Sequence, residues 1–255
     1  MEHLKLMVCP HDTAKKPNNW FIFAQYLSQT LHNSFLFEKS FDFPDFHNQI
    51  TTSHLIYANP QDSVKLIKEH GYIPVARPSN LSDEVIFIAN KNLDTPRITD
   101  LSDKTLTSVN SMMVTKVGIK CLLQNNIKPL NIDSKESWMA VVKSIFRNEA
   151  DYAMVYKDFY DGLNKLSKSG LQKIGETTDG TIHHNLLASP KLKGSVDIIQ
   201  KCLVQMNEHN DRSREILSAL NIEKFIAISE EEILKFESLQ QFKIAETTED
   251  HATCC

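Results

Sequence analysis

The hydrophobic positions change their spacing along the chain, and this pattern predicts an alternation of strands and helices. Short apolar runs at residues 4–9 and 85–89 are typical of strands buried in a sheet. At residues 20–31 the apolar side chains recur at helical spacing instead. A further helix is predicted over residues 61–70, and Gly71 is suited to end it. Because strand and helix signals alternate through most of the chain, the sequence predicts an α/β fold with mainly parallel sheets.

A polar stretch after the strand at residues 85–89 divides the chain. This stretch contains Pro96, and a second short strand at residues 105–109 then leads into a helix. The order predicts that the chain leaves one α/β lobe and begins another. We therefore predict a lobe 1 of residues 1–92 plus 183–240, an inserted lobe 2 of residues 93–182, and a flexible polar tail at residues 245–255.

Composition excludes several classes of function. The 255 residues are 41% hydrophobic and carry a net charge of −4, which argues against a nucleic-acid partner because phosphate binding needs a basic surface. The sequence has no apolar stretch of the length that membrane insertion requires. Its amino terminus is too short and too polar for a signal peptide. The expected location is cytoplasmic for the chain as it stands, or periplasmic if a leader has been removed.

Motifs for common cofactors and catalytic sites are missing from the sequence. The five cysteines form no CxxC pair, so neither a disulfide framework nor a zinc site is indicated. No GxGxxG or P-loop is present, and we predict no cofactor. Cys9 and His11 form a Cys-x-His pair, but a small apolar residue closing a strand is the favoured interpretation of Cys9. We predict no catalytic residues.

Several phrases, taken in order, resemble a known family. They run from residue 4 to about residue 235 and read LIYANP at 55–60, GYIPVA at 71–76, VIFIA at 85–89, ITDLSDK at 98–104, NEADYA at 148–153 and LNIEKFIAI at 220–228. Together they resemble the phosphonate/phosphite-type solute-binding proteins of ABC transporters, which have the type 2 periplasmic-binding-protein fold. The resemblance implies a two-lobed clamshell with two crossover segments, a small-molecule ligand, and an ABC-transporter permease or a signalling protein as partner.

The resemblance also implies ligand loops at strand ends. On this chain they are residues 10–13, 58–61, 110–115, 156–158 and 177–184. The family's Ser/Thr-rich turn, which cradles an oxyanion at a helix start, is replaced here by a stretch containing Met112 and Met113. We therefore expect a small, partly apolar ligand with a polar or anionic end.

Ten residues in these loops are the predicted ligand-binding residues. They are His11, Asp12, Asn59, Gln61, Ser111, Met112, Thr115, Tyr156, Lys157 and His184. Structural roles remain open for several, since Asn59 before Pro60 suits a turn and Asp158 suits a helix start. A metal site of His11, Asp12 and either His183 or His184 is an alternative, but its spacing carries no zinc signature. We predict no metal.

Two functions remain open from the sequence. The first is a non-catalytic solute-binding protein that closes two lobes around its ligand for transport or signalling. The second is a cytoplasmic enzyme on the same fold that makes a cofactor precursor, for instance in thiamine-pyrimidine or menaquinone biosynthesis. Free cysteines and the missing secretion signal favour the enzyme. The missing catalytic set favours the binding protein, which is the function we predict.

Overall fold

The computed structural model describes residues 3–244, so the predicted tail at 245–255 lies outside the described residues. The strands are β1 Leu4–Val8, β2 Phe35–Glu38, β3 Leu55–Ala58, β4 Ile73–Pro78, β5 Val85–Asn90, β6 Thr105–Ser108, β7 Asn131–Ser134, β8 Tyr152–Tyr156, β9 Leu171–Glu176, β10 Asn185–Ala188 and β11 Phe225–Ala227. The α-helices are α1 Pro10–Lys15, α2 Pro17–Leu31, α3 Phe43–Gln49, α4 Pro60–His70, α5 Met113–Gln124, α6 Trp138–Phe146, α7 Lys157–Asp161, α8 Lys165–Ser169, α9 Val196–Val204, α10 Met206–His209, α11 Asp211–Ala219 and α12 Glu230–Leu234. Short 3-10 helices lie at Ile50–Thr52, Ile98–Leu101, Pro190–Ser195 and Lys235–Gln241.

The chain forms two compact units. Unit 1 consists of the described residues up to Ser82 together with Ile182–Glu237, and unit 2 consists of Asp83–Thr181 with the described residues from Ser238 onward. The first boundary thus follows Ser82, whereas the sequence predicts it after residue 92. The difference is β5, which we expected in lobe 1 but which pairs with β8 and β9 in the sheet of unit 2.

Unit 1 is built around a six-stranded sheet of order β11-β4-β10-β3-β1-β2. β1 is parallel to β2 and β3, while β10 is antiparallel to both β3 and β4. β3 is buried along its whole length. The apolar face of α2, which includes Trp20, Phe23 and Leu27, belongs to the same buried cluster as strand residues Leu6 and Leu55. Burial of these large side chains is the main term that stabilises unit 1.

Unit 2 contains a five-stranded sheet of order β7-β6-β8-β5-β9. β6 is parallel to β7 and β8, whereas β5 is antiparallel to its neighbours β8 and β9. All six residues of β5 are buried, which explains its continuous apolar run. Both sheets are mixed. Among the described strands, β10 and β11 in unit 1 and β5 in unit 2 run opposite to the others, so most strands of each sheet still point in one direction.

Local signals explain where α4 begins and ends. Asn59 caps the helix, with its side-chain oxygen accepting a hydrogen bond from the Asp62 backbone N–H. Pro60 occupies the first turn, where its missing N–H costs nothing. Gly71 follows with φ 65°, and its N–H donates to the carbonyls of Ile67 and Leu66.

Two local sequence signals are misleading. The polar residues 10–19 suit a loop, but they contain α1 and the start of α2. Ser134 and Ser137 both suit a helix cap. Ser137 accepts from Ala140 N–H and caps α6, whereas Ser134 ends β7. Within residues 3–244, no helix combines the length and the apolar character needed to cross a lipid bilayer.

Candidate functional site

In unit 1, polar side chains gather at one edge of the sheet. β1 and β3 are parallel neighbours, so their carboxyl ends meet at the same edge. Cys9 and Asn59 follow those ends directly and precede α1 and α4. β10 runs antiparallel to β3, so His184, which immediately precedes β10, lies at this edge too. Three loops that the sequence analysis named therefore supply residues to one edge.

Asp12 and His184 meet at this edge. His184 Nδ1 lies 2.8 Å from Asp12 Oδ2, with 7% of the histidine side chain and 26% of the aspartate side chain exposed. The histidine ring also packs on Tyr57, at a centroid distance of 5.4 Å. Ligand atoms of Cys9, Asp12 and His184 all lie within 4.8 Å of one another. Cys9 was not among our predicted ligand-binding residues.

Asn59 takes part in hydrogen bonds within the fold. Besides capping α4, its amide Nδ2 donates to Asp62 Oδ2 at 2.6 Å and lies 4.0 Å from Cys9 Sγ. His47 Nε2 lies 2.9 Å from the other Asp62 oxygen. Gln61, in the first turn of α4, is exposed. Asn59 is therefore a capping residue, and its proposed contact with a ligand remains a prediction.

The remaining histidines of this edge have different surroundings. His11 is half-buried, and its ring meets the Phe43 ring edge-on at 4.9 Å. His183 is buried, with Nδ1 2.7 Å from Asn185 Oδ1 and its ring 5.1 Å from that of Phe236. Burial lowers the pKa of His183 to about 4. The metal cluster considered from the sequence contained His11, whereas the cluster that the geometry brings together contains Cys9.

Cys9 is not arranged as a nucleophile. Its side chain is fully buried, and burial followed by the nearby Asp12 carboxylate raises the pKa of the thiol well above its usual value. A reactive cysteine needs the opposite, a thiolate stabilised by positive surroundings and open to substrate. The preference for a non-nucleophilic Cys9 therefore agrees with its environment.

In unit 2, the corresponding edge lies where β6 and β8 end. The two strands are parallel, and β5 runs antiparallel to β8, so the start of β5 lies at the same edge. Thr115, a predicted ligand-binding residue, is fully buried here. Its hydroxyl donates to the Val109 carbonyl at 2.7 Å and lies 3.2 Å from Ser108 Oγ. The hydroxyl therefore stabilises the turn that precedes α5.

The start of α5 presents a different set of groups. Ser111 is exposed and Met112 half-buried, whereas Met113 is buried in unit 2. Met112 is the N-cap residue and provides no side-chain hydrogen bond to the helix. Lys116, in the first turn, reaches back so that its Nζ lies 3.0 Å from Asn110 Oδ1. Backbone N–H groups at an uncapped helix start and an ammonium group thus lie close together.

Tyr156 and Lys157 follow β8 and are both half-buried. Tyr156 Oη donates to Asp83 Oδ1 at 3.0 Å. Lys157 forms a hydrogen-bonded ion pair with Glu176. This hydrogen bond raises the pKa of the Lys157 ammonium and lowers the pKa of the Glu176 carboxyl. The positive charge of Lys157, a predicted ligand-binding residue, is thus already balanced by Glu176 within unit 2.

The buried carboxylate of Glu84 also lies at this edge and was not predicted as a site residue. Glu84 accepts hydrogen bonds from the hydroxyl of Thr177, from Asp179 N–H at 3.1 Å and from Gly180 N–H at 2.7 Å. It is 6% exposed. Its donors lie more than ninety residues away in the sequence, so no local pattern marked it. Lys116 was missed for another reason, since a lysine in a first helical turn usually faces water.

The comparisons with known proteins give a family from one family model and a fold from solved structures. A family model described as ABC transporter, phosphonate, periplasmic substrate-binding protein matches residues 6–233. No curated protein matches the chain.

Solved structures of the same fold cover nearly the whole chain. PhnD1 from Prochlorococcus marinus (MIT 9301) in complex with methylphosphonate has a TM-score of 0.71 and 16% identity, over 93% of this chain and 97% of that one. XAC2383 from Xanthomonas citri bound to ATP has a TM-score of 0.67 and 11% identity, over 95% and 99%. The periplasmic aliphatic sulphonate binding protein SsuA from Escherichia coli has a TM-score of 0.67 and 12% identity, over 95% and 92%. The predicted α/β periplasmic-binding-protein fold is therefore confirmed, with the sheets corrected to mixed.

Proposed function

The chain belongs to the phosphonate family of periplasmic substrate-binding proteins of ABC transporters, and from this we propose that it binds a small organic oxyanion and delivers it to a transporter permease. The matched residues, 6–233, span most of both units rather than a single motif. The permease is proposed as the protein partner because proteins of this family serve transporters.

The start of α5 is the observation that carries the choice of an anionic ligand. A helix of twelve residues begins there without a side-chain cap. The Thr115 N–H donates to the Met112 carbonyl, and a helix start in general leaves further N–H groups that the helix itself does not satisfy. Helix starts of this kind attract anions through these donors and through the helix dipole. The Lys116 ammonium, 3.0 Å from Asn110 Oδ1, adds a full positive charge nearby. These groups suit a phosphonate or sulfonate oxygen.

Met112 favours a ligand with a small apolar substituent. Of the two methionines in the α5 turn, Met113 is buried in unit 2, and Met112 keeps part of its surface exposed. A thioether side chain accommodates alkyl groups of different shapes. The similar structures include one with methylphosphonate and one that binds aliphatic sulphonates. We infer a short-chain alkylphosphonate or alkylsulfonate as the ligand class.

Replacing Lys116 by methionine tests the anionic ligand. The variant keeps the linear side chain and removes the charge, so we expect the Kd for methylphosphonate or methanesulfonate to rise about tenfold or more. Isothermal titration calorimetry on the full chain measures this change. In the wild type, a ligand present at about a hundred times its Kd should raise the free energy of unfolding by about 2.7 kcal/mol.

Two controls make the result specific. Lys120→Met removes the next lysine of α5, whose Nζ pairs with Asp179 Oδ2 at 2.6 Å, and it should leave the Kd within about twofold. The uncharged dimethyl ester of methylphosphonate should not bind. Equal losses in both lysine variants, or binding of the ester as tight as that of the acid, would contradict the proposal.

Five of the predicted ligand-binding residues lie in unit 1, namely His11, Asp12, Asn59, Gln61 and His184. A variant of His11 tests whether this group contacts the ligand. His11→Ala should weaken binding by ~1–3 kcal/mol, the usual cost of removing a ring that contacts the ligand or of leaving a polar partner unpaired. The free energy of unfolding without ligand should change by less than about 1 kcal/mol, because the ring is half-buried. Calorimetry and urea denaturation measure the two effects.

His70→Ala, at the exposed end of α4, is the matched control. Unchanged affinity with a large loss of stability would make His11 a structural residue.

A further inference from the structure

Three side chains with different ligand chemistry converge at the sheet edge of unit 1. Cys9 comes from the end of β1, Asp12 from α1 and His184 from the residue before β10. A sulfur, a carboxylate oxygen and an imidazole nitrogen of these residues lie within 4.8 Å of one another. Three protein ligands of these types are a combination that zinc binds well, whereas magnesium and calcium prefer oxygen ligands alone.

The neighbourhood supports a coordinated ion. Two side chains approach the cluster from outside it: Asn59 Nδ2 lies 4.0 Å from Cys9 Sγ, and Tyr57 packs on the His184 ring at 5.4 Å between centroids. Such groups orient metal ligands and hydrogen-bond to them. Asp62, which accepts from Asn59 Nδ2 at 2.6 Å, adds a second carboxylate to the surroundings. A divalent cation would be held by this negative potential.

Burial places the cluster at the boundary between core and solvent. Cys9 is fully buried. The side chains of His184 and Asp12 are 7% and 26% exposed. An ion could therefore enter from the side of Asp12, and a fourth ligand could bind there. We propose that Cys9, Asp12 and His184 form a binding site for one zinc ion, with the fourth coordination position open to water on the side of Asp12.

The competing explanation is a core thiol beside an ordinary hydrogen bond. Without metal, an ordinary cysteine thiol carries its proton near neutral pH. Zinc binding would replace the thiol proton by a Zn–S bond, and that proton would pass to the buffer. A core thiol releases no proton when zinc is added. Proton release therefore separates the two explanations without relying on stability.

The experiment uses the full chain with Cys254→Ser and Cys255→Ser, since these adjacent thiols could bind zinc themselves. After treatment with a chelator, zinc is titrated by calorimetry in two buffers of different ionisation enthalpy, with no organic ligand present. We expect one zinc per chain and release of about one proton or more per ion. Cobalt titration should give a thiolate-to-cobalt charge-transfer absorption band.

Single variants assign the ligands. Cys9→Ser and His184→Gln should each weaken zinc binding by at least about a hundredfold, because each removes a direct ligand. Cys121→Ser, which changes a half-buried thiol of unit 2, should leave the affinity unchanged. Circular dichroism checks that each variant is folded, and the cobalt band of the parent chain gives a result that does not depend on the variants. Zinc binding that survives Cys9→Ser, a cobalt complex without the charge-transfer band, or no binding by the folded parent chain would overturn the proposal.

Discussion

Replacing Glu84 by alanine is expected to lower the free energy of unfolding by about 3 kcal/mol. The carboxylate accepts from the Thr177 hydroxyl and from two backbone N–H groups, those of Asp179 and Gly180. Alanine removes the acceptor of these three donors. The site is buried, since Glu84 itself is 6% exposed, and an unsatisfied buried donor costs ~1–3 kcal/mol. Urea denaturation followed by circular dichroism measures the change.

Replacing Glu84 by glutamine should lower the free energy of unfolding by about 1–2 kcal/mol, which is less than the effect of alanine. Its amide has one oxygen for two backbone N–H groups, since Asp179 N–H and Gly180 N–H donate to different oxygens of Glu84. Glu176→Gln is the matched control, because Glu176 forms ion pairs with Lys157 and Lys173 on the surface, where such pairs contribute below about 1 kcal/mol. If Glu84→Ala cost no more than Glu176→Gln, the hydrogen bonds of Glu84 would not be needed to hold residues 177–180.

Local sequence signals were sufficient to predict a helix wherever the contacts that stabilise its ends are themselves local. The helix α4 was predicted nearly in full because its stop signal, Gly71, adjoins it and contacts its last turn. The helix α6 shows the limit of such signals, since Ser134 and Ser137 are both plausible caps. Ser134 instead becomes the last residue of β7, paired with Ser108 of β6. The pairing of β7 with β6 therefore decided which of the two serines caps the helix.

The position and direction of strands depend on partners that the strand's own residues do not reveal. The run at 85–89 was correctly identified as a strand, but its apolar side chains fit either sheet. Its pairing with β8, in which Val85 faces Tyr156, places it in unit 2. In the same way, nothing in β10 indicates that it runs antiparallel to β3 and β4. These two strands, together with the edge strand β11, make the sheets mixed.

In the candidate sites, too, single residues could be predicted from the sequence, whereas the contacts between them depend on the tertiary structure. Residues that follow strands could be named from the sequence, because loops at strand ends carry ligands in this kind of fold. A meeting of Asp12 with His183 or His184 was considered only as an alternative from the sequence, and the structure brings together Asp12 and His184, which are 172 residues apart. Cys9 was interpreted as a core residue, and it is buried as expected. Its sulfur nevertheless adjoins Asp12 and His184, which only the tertiary structure reveals.

His183 should make the stability of the protein fall steeply in mildly acidic solution. The buried ring holds Nδ1 2.7 Å from Asn185 Oδ1, and the Asn185 amide is fixed because its nitrogen donates to Ser63 Oγ at 3.1 Å and to the His183 carbonyl at 3.0 Å. The neutral ring with a proton on Nδ1 satisfies this arrangement. Burial first, then the positive charge of Arg77, lowers the pKa of His183 from 6.5 to about 4. A second ring proton would lie in a buried site beside Phe236.

The sign of the effect follows from proton uptake by the unfolded chain. Above the unfolded pKa of 6.5 His183 is neutral in both states, and its contribution to stability is fully present. As the pH falls from about 6.5 towards 4, the unfolded chain binds a proton that the folded protein does not, so stability decreases. The loss should approach about 3 kcal/mol, at 1.36 kcal/mol for each unit of pKa difference. Below the folded pKa both states are protonated, and His183 causes no further loss.

His183→Gln should remove this part of the pH dependence, because the amide can still donate to Asn185 but does not titrate. Between about pH 7.5 and about pH 4.5 the wild type should lose ~2–3 kcal/mol more than His183→Gln, measured by urea denaturation at each pH. Comparing the two pH profiles cancels the carboxylates that both proteins share. The control His70→Gln changes an exposed histidine of α4, and it should lose as much stability as the wild type over the same pH range. Parallel profiles for the wild type and His183→Gln would mean that the buried ring accepts its proton as readily as an exposed histidine, and that the site beside Phe236 opens to water in acid.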